Sequence, residues 1–81
     1  MAAHTGQWDR FSRSQLAAAI QESCLGEIDG YIARAYLIDK TPHIEIAGEL
    51  AEKYGVQFDR STVTRRWNRC KNRILHFIPS G

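Results

Sequence analysis

Apolar residues recur every three or four positions in four segments of this chain, and a glycine or a proline stands at the end of each segment. This spacing matches the period of an α-helix, and we find no pair of segments with the alternating pattern of strands. The interruptions are Gly26, Pro42, Gly55 and Pro79. Since both residue types end helices more often than they continue them, the pattern predicts an all-α fold.

The predicted architecture is one small four-helix domain that covers residues 1–81. A hydrophobic content of 43% is enough to form a core and argues against disorder. The first twelve residues form an N-terminal arm, whose Trp8 and Phe11 we expect to pack back onto the core. The predicted helices cover residues 14–25, 27–38, 43–54 and 60–77.

Residues that favour helix ends flank these segments. Thr41 precedes Pro42, so we expect Thr41 to be the N-cap and Pro42 to take the first helical position, where its missing N–H costs nothing. Gly55 is expected to end the third helix in the left-handed conformation. The other predicted N-caps are Ser12 or Ser14 for the first helix and Asp59 or Ser61 for the fourth.

The apolar positions predict which side of each helix is buried. The first helix has Leu16, Ala17, Ile20 and Cys24 on this side, and the second has Ile28, Tyr31, Ile32, Ala35 and Tyr36. The third has Ile44, Ala47, Leu50, Ala51 and Tyr54, and the fourth has Val63, Trp67, Cys70, Ile74 and Phe77. Cys24 and Cys70 are therefore expected to be two buried thiols, with a single disulfide as the alternative.

The basic residues are concentrated at one end of the chain. Residues 60–81 contain six basic residues and no acid, whereas residues 1–59 contain five basic residues and all nine acids. The net charge of +2 is therefore the sum of +6 on the fourth helix and its tail and −4 elsewhere. Basic charge concentrated on one short element is typical of a surface that binds phosphate groups.

Several other functional classes lack support in the sequence. No apolar run approaches the ~18 residues that cross a bilayer, and the N-terminus lacks the layout of a secretory signal. We therefore expect no membrane partner and an intracellular protein, cytoplasmic or nucleoid-associated, or nuclear in a eukaryote. No nucleophile–base spacing, phosphate-binding loop or metal-ligand spacing is present, so we predict no enzyme activity, no cofactor and no metal site.

The third and fourth predicted helices, with the glycine and short turn between them, form a helix-turn-helix pattern over about residues 41–77. The segment IEIAGELAEKYGV followed by STVTRRWNRCKNRI resembles the tri-helical helix-turn-helix domains of sigma-factor region 4 and of related phage and transposase regulators. The resemblance covers roughly residues 28–75. The segment VQFDR after Gly55 is about two residues longer than the usual turn, and the helix before it is one turn longer.

This resemblance implies that the fourth helix lies in the DNA major groove and that the start of the third helix meets the DNA backbone. It implies that Arg65 can pair with guanine and Asn68 with adenine. The residues implied to contact bases are Ser61, Thr62, Thr64, Arg65 and Asn68. Those implied to contact phosphates are Thr41, His43, Arg60, Arg66, Arg69, Lys71 and Arg73.

Our first hypothesis is a sequence-specific protein that binds double-stranded DNA, most simply a small transcriptional regulator. We expect it to form a homodimer through the first helix and an apolar C-terminal end made of Ile74, Leu75, Phe77 and Ile78. The second hypothesis is a protein-interaction module that binds RNA polymerase or another regulator through the acidic face of residues 1–59. The third is the DNA-binding arm of a transposase or recombinase.

Overall fold

Four α-helices account for most of the chain in the computed structural model, which describes Trp8 and residues 10–78. They are α1 (Arg13–Ser23), α2 (Glu27–Leu37), α3 (His43–Tyr54) and α4 (Arg60–Phe77). The described residues include no strand, which confirms the all-α, four-helix prediction. Residues 1–7 and 9 of the predicted arm, and the predicted break at Pro79, lie outside the described residues.

Side chains at the helix starts satisfy free backbone N–H groups. The Gln15 N–H donates to Ser12 Oγ at 3.1 Å, and the Ser12 N–H donates to Gln15 Oε1 at 2.8 Å, so α1 begins with a capping box. The Thr62 N–H donates to the Asp59 carboxylate at 2.8 Å at the start of α4. Ser12 and Asp59 are thus the N-caps, each one of the two predicted alternatives.

The ends of the first and third helices follow different chemistry. Gly55 ends α3 with φ of 72°, as predicted, and glycine adopts this left-handed conformation without a steric penalty. Cys24 is the C-cap of α1, with φ of 52°, so α1 ends at Ser23, two residues before the predicted end at position 25. Cys24 is also exposed, which makes the prediction of a buried thiol wrong at this position. A residue that ends a helix in the left-handed conformation has left the helical register that placed it on the apolar side.

The predicted range of the third helix, residues 43–54, matches α3, but its predicted N-cap was wrong by one residue. Pro42 is the N-cap, with φ of −64° and ψ of 152°, and His43 is the first helical residue. The Thr41 N–H donates to the Ala35 carbonyl at 2.9 Å. Thr41 therefore completes the end of α2 and lies one position before the N-cap of α3.

The core lies where α4 packs against the other three helices. Val63, Trp67, Cys70 and Ile74 are buried along one side of α4, as predicted, whereas Phe77 is exposed at its end. The Trp67 ring lies 5.5 Å from that of Trp8, centroid to centroid. Trp8 is buried and Phe11 is partly buried against the core, which confirms that this part of the arm packs back onto the helices.

The buried side of α3 differs from the predicted one. Ile46, Ala47 and Leu50 are buried, whereas Ile44 is 64% exposed. Residues two positions apart on an α-helix point about 200° apart, so Ile44 and Ile46 cannot both face the core. The prediction that Ile44 is buried was therefore wrong.

Candidate nucleic-acid interface

The solvent-facing side of α4 lies opposite its buried stripe. Arg65, Asn68 and Arg69 are exposed on this side, about half a turn away from Val63 and Trp67. The 18 residues of α4 present this side over several turns. Its buried side chains anchor the helix to all three other helices. The buried side fixes the position of the helix, and the exposed side is free to meet a ligand.

An open groove runs along the first half of α4. It is lined by Arg60, Ser61, Thr64, Arg65, Asn68 and Arg69. All the predicted base-contacting residues except Thr62 therefore line one surface, together with two of the predicted phosphate-contacting arginines. None of the lining side chains is acidic, so the groove is strongly electropositive and also carries hydroxyl and amide groups.

The N-cap of α4, Asp59, places a negative charge at the start of this helix. Its hydrogen bond from the Thr62 N–H lowers the pKa of Asp59 below the ordinary value, so this carboxylate is ionised at neutral pH. Thr62 is partly buried, and its backbone N–H is already used by the cap. Thr62 therefore supports the helix end, and the groove begins with Arg60 and Ser61.

The start of α3 lies against the middle of this surface. His43 Nδ1 lies 2.8 Å from Thr64 Oγ1, and the His43 ring lies 4.5 Å from the Tyr36 ring, centroid to centroid. His43, a predicted phosphate contact, is therefore held between α2 and α4. Thr41 is partly buried two residues before it, next to Pro42. The structure thus brings the α3 start and the α4 groove into one continuous region.

Arg66 lies on a different side of α4 from Arg65. Its guanidinium donates to the Asp29 carboxylate of α2 at 2.8 Å and lies 4.9 Å from the centre of the Phe58 ring. The side chain of Arg66 is 33% exposed and that of Asp29 is 20% exposed. Arg66, predicted to bind phosphate, is thus engaged within the protein, and it links α2 to the turn and to α4.

The other predicted phosphate contacts lie beyond the groove. Lys71 is partly buried and Arg73 is exposed, both in the second half of α4. They follow Arg69 by one turn or less and extend the positive charge toward the C-terminal end. The structure does not bring either residue into the groove itself.

The chain matches no family model, no curated protein and no solved structure.

The region around Asp29 also includes the second cysteine. Cys70 is buried, and burial raises the pKa of its thiol to about 11, with further contributions from the charge of Asp29 and a hydrogen bond to it. Because the thiolate is the reactive form, Cys70 is a core residue with low reactivity. Both cysteines are free thiols, and within Trp8 and residues 10–78 no cluster of three or more metal-ligating side chains is present.

A second, less basic face lies at the junction of α1, α2 and α3. Two adjoining grooves share Leu25, Gly26, Glu27 and Tyr54 in their linings. Nearby, the Tyr31 hydroxyl donates to Glu49 at 2.7 Å, and this hydrogen bond, with burial, raises the pKa of Tyr31 to about 12. The structure offers no sign of a membrane span: no described helix is long and apolar enough to cross a bilayer.

The sequence analysis did not identify Asp29 and Phe58, which contact Arg66, as site residues, nor the exposed Ile44. Asp29 is 37 positions away from its partner Arg66, so no local pattern connects them. Ile44 matched the apolar period of its helix, and only the rotation of α3 in the fold brought it to the surface.

Proposed function

We propose that this chain binds double-stranded DNA in a sequence-specific manner and acts as a small transcriptional regulator. The supporting observation is the α4 groove, in which Arg60, Arg65 and Arg69 surround hydroxyl and amide side chains with no acid among the lining residues. An α-helix fits the major groove of B-DNA, where hydrogen-bonding groups of the bases are accessible. The groove offers both kinds of contact that such binding needs, to phosphates and to base edges.

The chemistry of the lining side chains suggests a division of roles. Arg65 has the planar donor pair that guanine O6 and N7 accept, and the Asn68 amide can pair with adenine N6 and N7. Ser61, Thr62 and Thr64 are further candidates for base contacts at the start of the helix. Arg60, Arg69, Lys71 and Arg73, together with Thr41 and His43 at the α3 start, are candidates for phosphate contacts.

Arg66 is not part of this assignment. Its ion pair with Asp29 and its place over Phe58 occupy the guanidinium within the protein. We also propose that α3 and α4 form a helix-turn-helix similar to that of sigma-factor region 4 domains, with α4 as the recognition helix.

We further propose that the protein binds DNA as a homodimer, because a single helix-turn-helix unit reads only one half-site. The C-terminal end of α4 supports this, since Leu75 and Phe77 are 36% and 39% exposed. Ile74, which was also predicted to lie on this apolar end, is fully buried in the core and is left out. Sedimentation that detects only monomers at high micromolar concentration would contradict the dimer.

The first test is fluorescence anisotropy with random-sequence duplex DNA at several salt concentrations. We expect a micromolar dissociation constant at low salt. A plot of the logarithm of the association constant against the logarithm of the salt concentration should have a slope of about −0.9 per phosphate contact. The variant Arg65→Ala/Arg69→Ala should lose most of this binding. A matched control, Arg34→Ala/Lys53→Ala, removes the same charge from α2 and α3 and should retain it.

Equal losses in the two double variants would show that binding follows net charge alone and would contradict a specific role for the groove. Absence of binding by folded wild-type protein at low salt would refute DNA binding altogether. The second candidate function, binding to a protein such as RNA polymerase or another regulator, would then be favoured. The grooves around Leu25, Glu27 and Tyr54 favour that candidate, because they combine apolar, aromatic and acidic groups away from the α4 groove.

A further inference from the structure

Ile44 is the most exposed of the large apolar side chains that the structure describes. It is 64% exposed, whereas Leu75 and Phe77 are 36% and 39% exposed. It lies in the first turn of α3, directly after His43. An isoleucine with this exposure gives little to the stability of the fold, so its surroundings decide what it can do.

Helical geometry shows which way Ile44 points. Successive residues of an α-helix differ by about 100°, so the buried stripe of Ile46, Ala47 and Leu50 separates Ile44 on one flank of α3 from Glu49 on the other. Glu49 accepts a hydrogen bond from Tyr31 of α2, so its flank faces α2. Ile44 therefore lies on the flank of α3 opposite Glu49, directly after His43, whose ring packs against Thr64 of α4.

The α4 residues beside this flank belong to the candidate interface. His43, the neighbour of Ile44, contacts Thr64 at 2.8 Å, and Thr64 lines the α4 groove. Ile44 thus provides an apolar group at the edge of an otherwise polar and basic surface. A ligand that lies along the groove and reaches the start of α3 would meet this side chain.

We propose that Ile44 contacts thymine 5-methyl groups in the major groove and so adds a preference for thymine at one or more positions of the binding site. This inference rests on the proposed binding of duplex DNA by α4. The thymine methyl is the apolar group that a base pair presents in the major groove, and small apolar side chains recognise it there. Isoleucine has no side-chain donor for a phosphate, so its contribution to DNA binding would be this apolar contact.

The test uses DNA selected by the wild-type protein from a random duplex pool and then amplified twice, once with thymidine and once with deoxyuridine triphosphate. Deoxyuridine keeps the base pairing and lacks the methyl group. Anisotropy titrations compare the wild-type protein with Ile44→Ala on both forms. Gln57→Ala, which shortens an exposed, uncharged side chain in the turn before α4, is the matched control.

We expect the wild-type protein and Gln57→Ala to bind the thymine form about fourfold more tightly than the uracil form, which is the effect of burying one methyl group. Ile44→Ala should bind both forms equally, with about the affinity of wild-type protein for the uracil form. A thymine preference that is retained in Ile44→Ala, or no preference in the wild-type protein, would overturn the inference while leaving DNA binding intact. Failure of the folded wild-type protein to bind either form would overturn both the inference and the proposed function. Circular dichroism melting of each variant checks that it is folded.

Discussion

Arg65 and Arg66 are adjacent in the sequence and identical in chemistry, yet the fold gives them different surroundings. Arg65 is exposed and lines the α4 groove with Arg60 and Arg69. Arg66 points about 100° away, pairs with Asp29 at 2.8 Å and lies over Phe58. A count of arginines on a helix therefore overstates the number that can contact a ligand, since a carboxylate from another helix can form an ion pair with one of them.

The largest effect should come from replacing Arg65, the exposed arginine of the two. Arg65→Ala should weaken binding to the preferred DNA site by about 10- to 100-fold, since one bidentate contact to a base contributes about 1–3 kcal/mol. The free energy of unfolding should change by less than about 0.5 kcal/mol, because the side chain is exposed. Anisotropy titration and urea denaturation of the same preparations measure the two quantities. A stable variant with unchanged affinity would remove Arg65 from the interface.

The next largest effect should appear in the free energy of unfolding and not in the affinity for DNA. Arg66→Ala should lower the free energy of unfolding by about 1–2 kcal/mol, because it leaves a mostly buried Asp29 without its ion pair and exposes Phe58. We expect the affinity for DNA to change by no more than about threefold at a temperature where the variant is folded. If Arg66→Ala instead lost as much affinity as Arg65→Ala and remained fully stable, the contrast between the two arginines would fail.

A smaller effect comes from the partner of Arg66. Asp29→Asn should cost about 1 kcal/mol of stability, because the amide can keep a hydrogen bond but loses the charge. It should also lower the pKa of Cys70 from about 11 toward its ordinary value, since the Asp29 charge is one of the causes of the shift. In a Cys24→Ser background, Cys70 should then react faster with a disulfide reagent at pH 8–9.

The control for this measurement is Asp39→Asn, which removes the charge of an exposed acid and should leave the Cys70 rate unchanged. In every variant, Cys70 should react more slowly than Cys24 does in the wild-type protein, because burial is the largest cause of the raised pKa of Cys70 and blocks access as well. An unchanged rate in Asp29→Asn would show that Asp29 does not influence the thiol.

The smallest effect concerns the cap that positions the first turn of α4. The folded pKa of Asp59 lies below its ordinary value of 3.8, so its contribution to stability is fully present above that value and is lost as pH falls through the folded pKa. Asp59→Ala should therefore be less stable than the wild-type protein at neutral pH, and the difference should shrink below about pH 3.8. Thermal melts followed by circular dichroism from pH 7 to pH 2 measure it. A difference that stays constant over this range would show that the carboxylate charge plays no part in the cap.

The predicted elements succeeded where a signal is local. The spacing of Val63, Trp67 and Ile74 fixed the buried side of α4, and Gly55 and Asp59 fixed the ends of the turn before it, because caps and amphipathic periods depend on residues a few positions apart. The predictions failed at Ile44, Cys24 and Thr41. At each of these positions, a second apolar period or a second possible cap was available, and contacts with the rest of the fold decided between them.

Apolar spacing and the positions of the charged residues are sufficient to specify a four-helix, all-α domain whose basic residues are concentrated on its last helix. They also place Arg65, Asn68 and Arg69 on the side of that helix opposite the core. The packing of the helices, in contrast, pairs Asp29 with Arg66, places His43 against Thr64 and leaves Ile44 exposed. The physical reason is distance along the chain: these contacts join residues 21 to 37 positions apart or depend on the rotation of a whole helix, and helical periodicity carries no information about either.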